Sequence, residues 1–224
     1  MLTHAVLRHS IGLGLFAIFT AGLIAVSHTA TRDRAAANAD AYAARTLYEL
    51  VPESLFDRPI EQQNFALLDN DQLTDTEPLR LRNDRQGFRA IDNDTVTAVV
   101  LPVTAPDGYT GDIDLLIAVD REGILLGVRV VAHQETPGLG DAIEADRSDW
   151  ILQFDGRSLA MPAPEQWRVR KDGGEFDQLT GATITPRAVV AAVKAGLTFF
   201  DHNRDWLLTA PDATMPETEA NLNG

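Results

Sequence analysis

Three threonines and a Gly-Ala pair stand together in the segment Asp177–Thr185, which reads DQLTGATIT. A helix is predicted to begin directly after it, at Pro186. The first amide groups of a helix lack intrahelical acceptors and lie at the positive end of its dipole, so a phosphate on or near Thr183 would meet hydrogen-bond donors. A threonine-rich helix cap is the alternative interpretation. Because threonine is a poor nucleophile without a neighbouring base, any modification of Thr183 needs another enzyme.

A second segment with unusual composition is His133–Asp141, HQETPGLGD, which follows the strongest predicted strand. Its two glycines and its proline predict a tight loop whose backbone can closely approach a flat or charged group. Glu135 and Thr136 could form hydrogen bonds to such a group, and Leu139 could make an apolar contact. An ordinary strand-to-helix connection is one alternative. Another is an exported enzyme that uses His133 and Glu135 as an acid–base pair on a small substrate.

Composition excludes several functional classes. The 224 residues carry 33 acidic and 19 basic side chains, a net charge of -14, which argues against binding to nucleic acid. The absence of cysteine excludes disulfides, a cysteine nucleophile and an iron–sulfur cluster ligated by this chain. Five histidines without a paired-histidine motif give little support to a metal site. No catalytic or metal-ligating residue is therefore assigned, and redox chemistry would require a bound cofactor.

The N-terminal sequence predicts a membrane anchor. Ser10–Ser27 has no ionisable side chain, and a helix of that length approaches the thickness of a hydrocarbon core. A cleaved secretory signal is the alternative, but its apolar centre is usually shorter. The short N-terminus then stays in the cytoplasm and the large domain is exported. The predicted segments are a cytoplasmic tip and anchor (1–31), a membrane-proximal helix and irregular segment (32–94), the main domain (95–209) and a disordered tail (210–224).

The main domain has an α+β pattern with an antiparallel sheet and flanking helices. A helix is predicted over Thr185–Trp206, with Thr185 as its N-cap and Pro186 at its first position. Another is predicted over Thr31–Val51, followed by irregular structure with short elements over Pro52–Arg89. The predicted strands, the second and third of them joined by the turn Asp120–Gly123, are Thr95–Val103, Asp112–Asp120, Ile124–His133 and Trp167–Lys171.

The signature D-x-x-[ST]-G-A-T at Asp177–Thr183 resembles the covalent-FMN attachment motif of the FMN-binding domain. That domain is shared by the G subunit of the Rnf electron-transport complex and the C subunit of the sodium-translocating NADH:quinone reductase. The short chain and the lack of tryptophan in Gly108–Gly111 favour the Rnf type. The further blocks that carry the resemblance are HQETPGLGD, Ala105–Ile113 (APDGYTGDI), Arg147–Trp150 (RSDW), Lys171–Thr185 and Pro186–Val190.

The resemblance implies that a flavin transferase joins FMN to Thr183 through a phosphodiester, and that 95–209 is an FMN-binding domain. Glu135, Thr136 and Leu139 are then contacts to the isoalloxazine ring, and Asp177 matters to the transferase. The residues implied to shape the phosphate and ribityl end are Thr180, Gly181, Ala182 and Thr185, and Tyr109 and Lys171 are two further candidates.

The resemblance also implies a single-pass subunit of the bacterial inner membrane with its main domain in the periplasm. Such a subunit relays electrons between the ferredoxin and NAD branches of an ion-translocating complex, together with the other subunits, and catalyses no complete reaction alone. The C subunit of the quinone reductase and a non-redox docking subunit remain as alternatives.

Overall fold

The computed structural model describes residues 9, 12–25, 45–68, 70–82 and 84–210. The chain divides into two compact units, Met1–Ala44 and Arg45–Gly224. In the first unit, residues 12–25 are helical. Within the described ranges, no helix has both the length and the hydropathy needed to span a bilayer. The predicted anchor falls partly outside the described residues and the predicted tail almost wholly so, while the predicted helix Thr31–Val51 is described from residue 45 and is helical over 45–50.

The second unit is built on a five-stranded antiparallel sheet in which every strand pairs with its sequence neighbour. The pairing of β4 with β5 matches Asp114 with Ala132, so β4 begins beside the end of β5. This register brings the loops before β4 and after β5 to the same end of the sheet. The strands are β1 (Asn64–Ala66), β2 (Gln86–Asp92), β3 (Thr95–Ala105), β4 (Ile113–Asp120) and β5 (Leu125–Ala132).

One long helix, Ile184–His202, and one short helix, Arg204–Leu207, follow the sheet. The long helix packs against the face of β3 and β4 that carries Val103 and Ile117. It approaches closely because Gly196 lies at the contact, where a Cβ atom would stand 2.5 Å from Ile117 Cδ1. The short 3-10 turns are Glu53–Leu55, Ile60–Gln62, Glu77–Leu79, Gly140–Ile143, Asp149–Phe154, Pro164–Gln166 and Arg170–Asp172.

Apolar side chains cover both faces of the sheet. Successive residues of a strand point to opposite faces, and β3 and β4 are buried along most of their length, so each face needs its own cover. On one face lies the long helix. A second apolar cluster on the other face joins Leu47, Leu50 and Val51 to Ala98 and Val100. The segment around residues 45–60 is therefore part of the fold and not a free linker.

The predicted antiparallel sheet is confirmed, and three of its strands were predicted nearly to the residue. The hairpin turn forms with Gly123 at φ +85°, and the Asp120 amide donates to the Ile124 carbonyl over 2.9 Å. The predicted strand Trp167–Lys171 is wrong, because Val169 makes only an isolated bridge to Phe176 and a 3-10 turn follows. The short elements expected within Pro52–Arg89 are present as β1 and several 3-10 turns, whereas β2 was not predicted. The domain boundaries stay predictions.

A buried arginine joins the C-terminal end of the described chain to the sheet. Arg89 of β2 is 5% exposed, and its guanidinium lies over the rings of both Phe65 and Trp206, 4.4 Å from each centroid. Its Nε donates to the Leu207 carbonyl over 2.9 Å. Burial lowers the pKa of Arg89 to about 10, which still leaves it charged at neutral pH. The two aromatic faces and the carbonyl stabilise this buried charge.

We predict that Arg89→Met lowers the free energy of unfolding of the full chain in detergent by about 1–3 kcal/mol, because the Leu207 carbonyl loses a charged donor and both rings lose their cation. Urea denaturation measures this change. Arg45→Met is the control, since the Arg45–Glu49 pair is exposed and its loss should cost under about 0.5 kcal/mol. Equal effects of the two substitutions would contradict the role assigned to Arg89.

Candidate functional site

A cavity of about 390 Å³ lies where three segments singled out in the sequence meet, namely Ala105–Ile113, His133–Asp141 and Asp177–Thr185. It gathers all the predicted site residues except Thr180 and Lys171, which are both exposed and do not line it. Sequence reasoning did not assign Gly140 and Ile184, which also line the cavity. The complete lining is Tyr109, Glu135, Thr136, Leu139, Gly140, Gly181, Ala182, Thr183, Ile184 and Thr185.

The start of the long helix forms one wall of this cavity. Thr183 is the N-cap residue, and its side chain makes no capping hydrogen bond. The turn before it requires Gly181, whose φ of +82° is left-handed, and a Cβ atom there would stand 3.1 Å from Leu139 Cδ2. The prediction of Thr185 as N-cap is therefore wrong: Thr185 lies within the first turn, and Pro186 is the third helical residue.

The three threonines of the motif have different surroundings. Thr180 is exposed and lies outside the cavity lining, whereas Thr185 is fully buried with its hydroxyl hydrogen-bonded. Thr183 is half-buried and lines the cavity. Of these three threonines, only Thr183 both lines the cavity and has a hydroxyl that makes neither a capping bond nor the bond to Glu135 made by Thr185.

The carboxylate of Glu135 connects three loops. Glu135 is 4% exposed. Its Oε2 accepts a hydrogen bond from Thr185 Oγ1 in the first turn of the long helix, over 2.5 Å. Its Oε1 accepts one from the backbone amide of Thr110, in the loop before β4, over 3.0 Å. Because its two carboxylate oxygens are bonded to these separate segments, Glu135 holds them together at the wall of the cavity.

Two glycines make room for this carboxylate. A Cβ atom on Gly108 would stand 2.9 Å from Glu135 Oε1 and 2.2 Å from the Gly111 carbonyl, and one on Gly140 would stand 2.8 Å from Glu135 Oε2. Real Cβ atoms do not approach so closely, so both loops need glycine at these positions. Sequence reasoning noted Gly140 as a turn former, whereas the closeness of both glycines to Glu135 depends on the fold.

His133 adjoins the site without facing it. Its Nε2 lies 2.5 Å from Glu144 Oε1, and its Nδ1 accepts the backbone amide of Glu135 over 2.9 Å. The side chain is 10% exposed. Since both ring nitrogens are engaged and neither contacts the Glu135 carboxylate, the geometry does not favour an acid–base pair of these two residues.

Asp177, the first residue of the threonine motif, is held by Trp150 of the RSDW block and by Gln153, three residues later. The Asp177 carbonyl accepts a hydrogen bond from Trp150 Nε1 over 2.7 Å, and the Asp177 amide donates to Gln153 Oε1 over 2.6 Å. The Asp177 carboxylate remains 59% exposed and pairs with Arg170 over 2.8 Å. Asp177 is therefore held by its backbone while its carboxylate stays at the surface.

Comparison with known proteins identifies the family. The FMN-binding domain family matches residues 108–198, and the RnfG N-terminal region family matches residues 1–50. The G subunit of an ion-translocating oxidoreductase complex from Pseudomonas aeruginosa is 45% identical to this chain, over 95% of this chain and 97% of that protein. The chain belongs to the family of G subunits of ion-translocating oxidoreductase complexes.

Two other members of this family give the same result. The G subunit from Shewanella piezotolerans is 37% identical over 96% of this chain and 99% of its own length. The G subunit from Vibrio cholerae is 37% identical over 95% of this chain and 98% of its own length. The predicted resemblance to the Rnf G subunit is thus confirmed. The residues matched by the FMN-binding domain family include every residue that lines the cavity.

We predict that Thr185→Val destabilises this G subunit by about 1–3 kcal/mol, because valine keeps the buried shape but leaves Glu135 Oε2 without its donor. The control is Thr198→Val on the same helix, whose hydroxyl donates to the Lys194 carbonyl of its own helix over 2.9 Å. Loss of that bond should change stability by less than about 0.5 kcal/mol. Urea denaturation in detergent compares the two variants, and equal losses would show that the Thr185–Glu135 bond carries no special weight.

Proposed function

We propose that this chain is the FMN-carrying subunit of a membrane-bound ion-translocating oxidoreductase complex, with FMN joined to Thr183 through a phosphodiester. Bound FMN supplies one- and two-electron redox chemistry that side chains lack. The observation that carries the proposal is the position of Thr183, on the wall of the cavity that lies within the residues matched by the FMN-binding domain family.

The cavity suits such a cofactor. Its volume of about 390 Å³ falls in the usual range for small-molecule sites. Tyr109, Leu139 and Ile184 line it and yet are 46–66% exposed, so their apolar surfaces are available to flank a flat ring. At the helix start, backbone without bulky side chains and the first amides of the helix provide the environment that a phosphate group prefers.

Each site residue then has a role toward the cofactor. Thr183 would carry the phosphate, Gly181 and Ala182 would let the backbone approach it, and Thr136 would offer a hydrogen-bonding group near the ring. Glu135 would act mainly by holding the loops around the cavity, since both its oxygens are bonded to Thr185 and Thr110. The exposed residues Thr180 and Lys171, like the carboxylate of Asp177, are more accessible to a flavin transferase than to the cavity.

In this proposal the chain relays electrons between the ferredoxin and NAD branches of the complex, and the neighbouring subunits supply the remaining centres. The protein contributes position and electrostatics. A covalent bond keeps the cofactor with the subunit on the exported side of the membrane, where a released molecule would be lost by dilution. Support comes from family membership and from the absence of cysteine, which excludes iron–sulfur ligation by this chain.

We further propose that Ser10–Ser27 anchors the chain in the inner membrane and that the main domain lies in the periplasm. The run has no ionisable side chain, and the N-terminal region family match covers it. The short N-terminal tip is easier to leave in the cytoplasm than a domain of more than a hundred residues.

Thr183→Ala should abolish flavin fluorescence that survives denaturation, when the full chain is exported from cells that also make a flavin transferase. In-gel fluorescence under ultraviolet light measures it, and peptide mass spectrometry locates the added mass. Thr180→Ser is the control for the motif, because the motif accepts either hydroxyl at this exposed position, and this variant should keep its flavin. An FMN mass on Thr180 or Thr185 would overturn the assignment, and a correctly exported wild-type chain without flavin would favour the non-redox docking alternative.

The topology is tested with reporters fused after Gly224. A reporter active only in the periplasm should be active, and one active only in the cytoplasm should be silent, because Ser10–Ser27 spans the membrane and the short N-terminal tip is the easier end to leave inside. Deleting that run provides the control and should reverse both signals. The opposite pattern in the full chain would remove the periplasmic relay, and a mature N-terminus near Thr29 would identify a cleaved signal.

A further inference from the structure

We propose that His133 is a positioning residue for the cavity, and that it acts as a neutral imidazole with its proton on Nε2. It would hold the backbone of Glu135 so that the Glu135 carboxylate meets its partners on the two other loops. This role toward FMN rests on the proposed function, whereas the role toward the cavity does not depend on it.

The partners of the ring determine where its proton lies. A backbone amide can only donate, so Nδ1, which receives the Glu135 amide over 2.9 Å, must carry a lone pair and no proton. The ring proton is therefore on Nε2, which faces Glu144 Oε1 at 2.5 Å. A carboxylate accepts that proton in a charge-assisted hydrogen bond, which stabilises this tautomer.

The pair also closes the motif loop. His133 follows β5, and Glu144 stands directly after the 3-10 turn Gly140–Ile143, so their contact joins the start of HQETPGLGD to the residue that follows this turn. Arg147 lies 3.8 Å from Glu144 and 3.9 Å from Asp141, on the solvent side of this contact. Glu144 is consequently fixed from outside by a cation and from inside by the imidazole.

Glu135 has little freedom once its amide is held. Its amide is bonded to His133, and its two carboxylate oxygens are bonded to Thr110 and Thr185. The backbones of Gly108 and Gly140 lie so close to these oxygens that a Cβ atom on either glycine would be nearer than a normal contact. A shift of the Glu135 backbone would thus be transmitted to the carboxylate and to the helix start beside Thr183.

Two substitutions of His133 separate its two bonds. His133→Asn places an amide oxygen where Nδ1 stands and so retains the acceptor for the Glu135 amide, but it loses the donor to Glu144. His133→Gln places an amide NH₂ where Nε2 stands and retains that donor, but it loses the acceptor. If His133 acts by holding Glu135, the His133→Asn variant should keep the wild-type arrangement of Glu135 and the His133→Gln variant should lose it.

The first measurement uses the full-length chain in detergent without flavin. Long-range ¹⁵N–¹H spectra of the wild-type imidazole should show the proton on Nε2. Amide exchange at Glu135 should be at least about tenfold faster in His133→Gln than in the wild type, and within about threefold in His133→Asn. A proton on Nδ1 would overturn the proposal, as would equal exchange rates in the two variants. The wild-type spectrum decides even where a variant does not fold.

The second measurement uses chains made with a flavin transferase and compares quenching of the flavin fluorescence by neutral acrylamide. His133→Gln should increase the quenching at least about twofold while His133→Asn stays near the wild type, because a displaced Glu135 no longer holds the segments that line the cavity. Flavin absent from all chains, combined with the predicted exchange rates, would refute the proposed function and leave the role of His133 standing. Flavin attached with identical quenching in both variants would refute the action of His133 on the FMN site.

Discussion

The buried carboxylate of Glu135 is the interaction on which the cavity depends. A charge removed from water is tolerated in a protein interior when hydrogen bonds satisfy it, and here the donors come from different loops. Thr110 lies before β4, Glu135 follows β5, and Thr185 lies in the first turn of the long helix. Because one charged group must keep both donors, these three segments cannot move independently, and the space between them keeps its shape.

The sheet explains why segments so far apart in sequence can share one carboxylate. In an antiparallel hairpin the start of one strand lies beside the end of the next, and Asp114 of β4 is paired with Ala132 of β5. The loops on either side of this hairpin therefore emerge at the same end. The long helix packs on β3 and β4 through its close contact at Gly196, which brings its first turn to that end. Strand register and helix packing together form the site.

Local patterns predicted the elements, while partners distant in sequence decided the details. The strands β3, β4 and β5 and the long helix have strong periodicity, so their positions could be inferred. Thr185 was expected to cap the helix from its position alone, but its partner is Glu135, 50 residues earlier. The strand β2 was missed because one of its buried residues, Arg89, is charged and does not fit an apolar strand pattern. The partners that permit its burial lie on β1 or more than a hundred residues further along the chain.

For the proposed attachment of FMN, the same carboxylate bears on which of the three threonines could carry it. Their intrinsic reactivities are alike, so chemistry alone gives no reason to prefer one. The fold distinguishes them. Thr185 is buried and its hydroxyl donates a hydrogen bond to Glu135, while the turn at Gly181 leaves Thr180 at the surface. Thr183 is left at the helix start, half-buried on the cavity wall. Selectivity for one hydroxyl can thus arise from how the loops are held, which makes the residues that hold Glu135 as important to the site as those that line it.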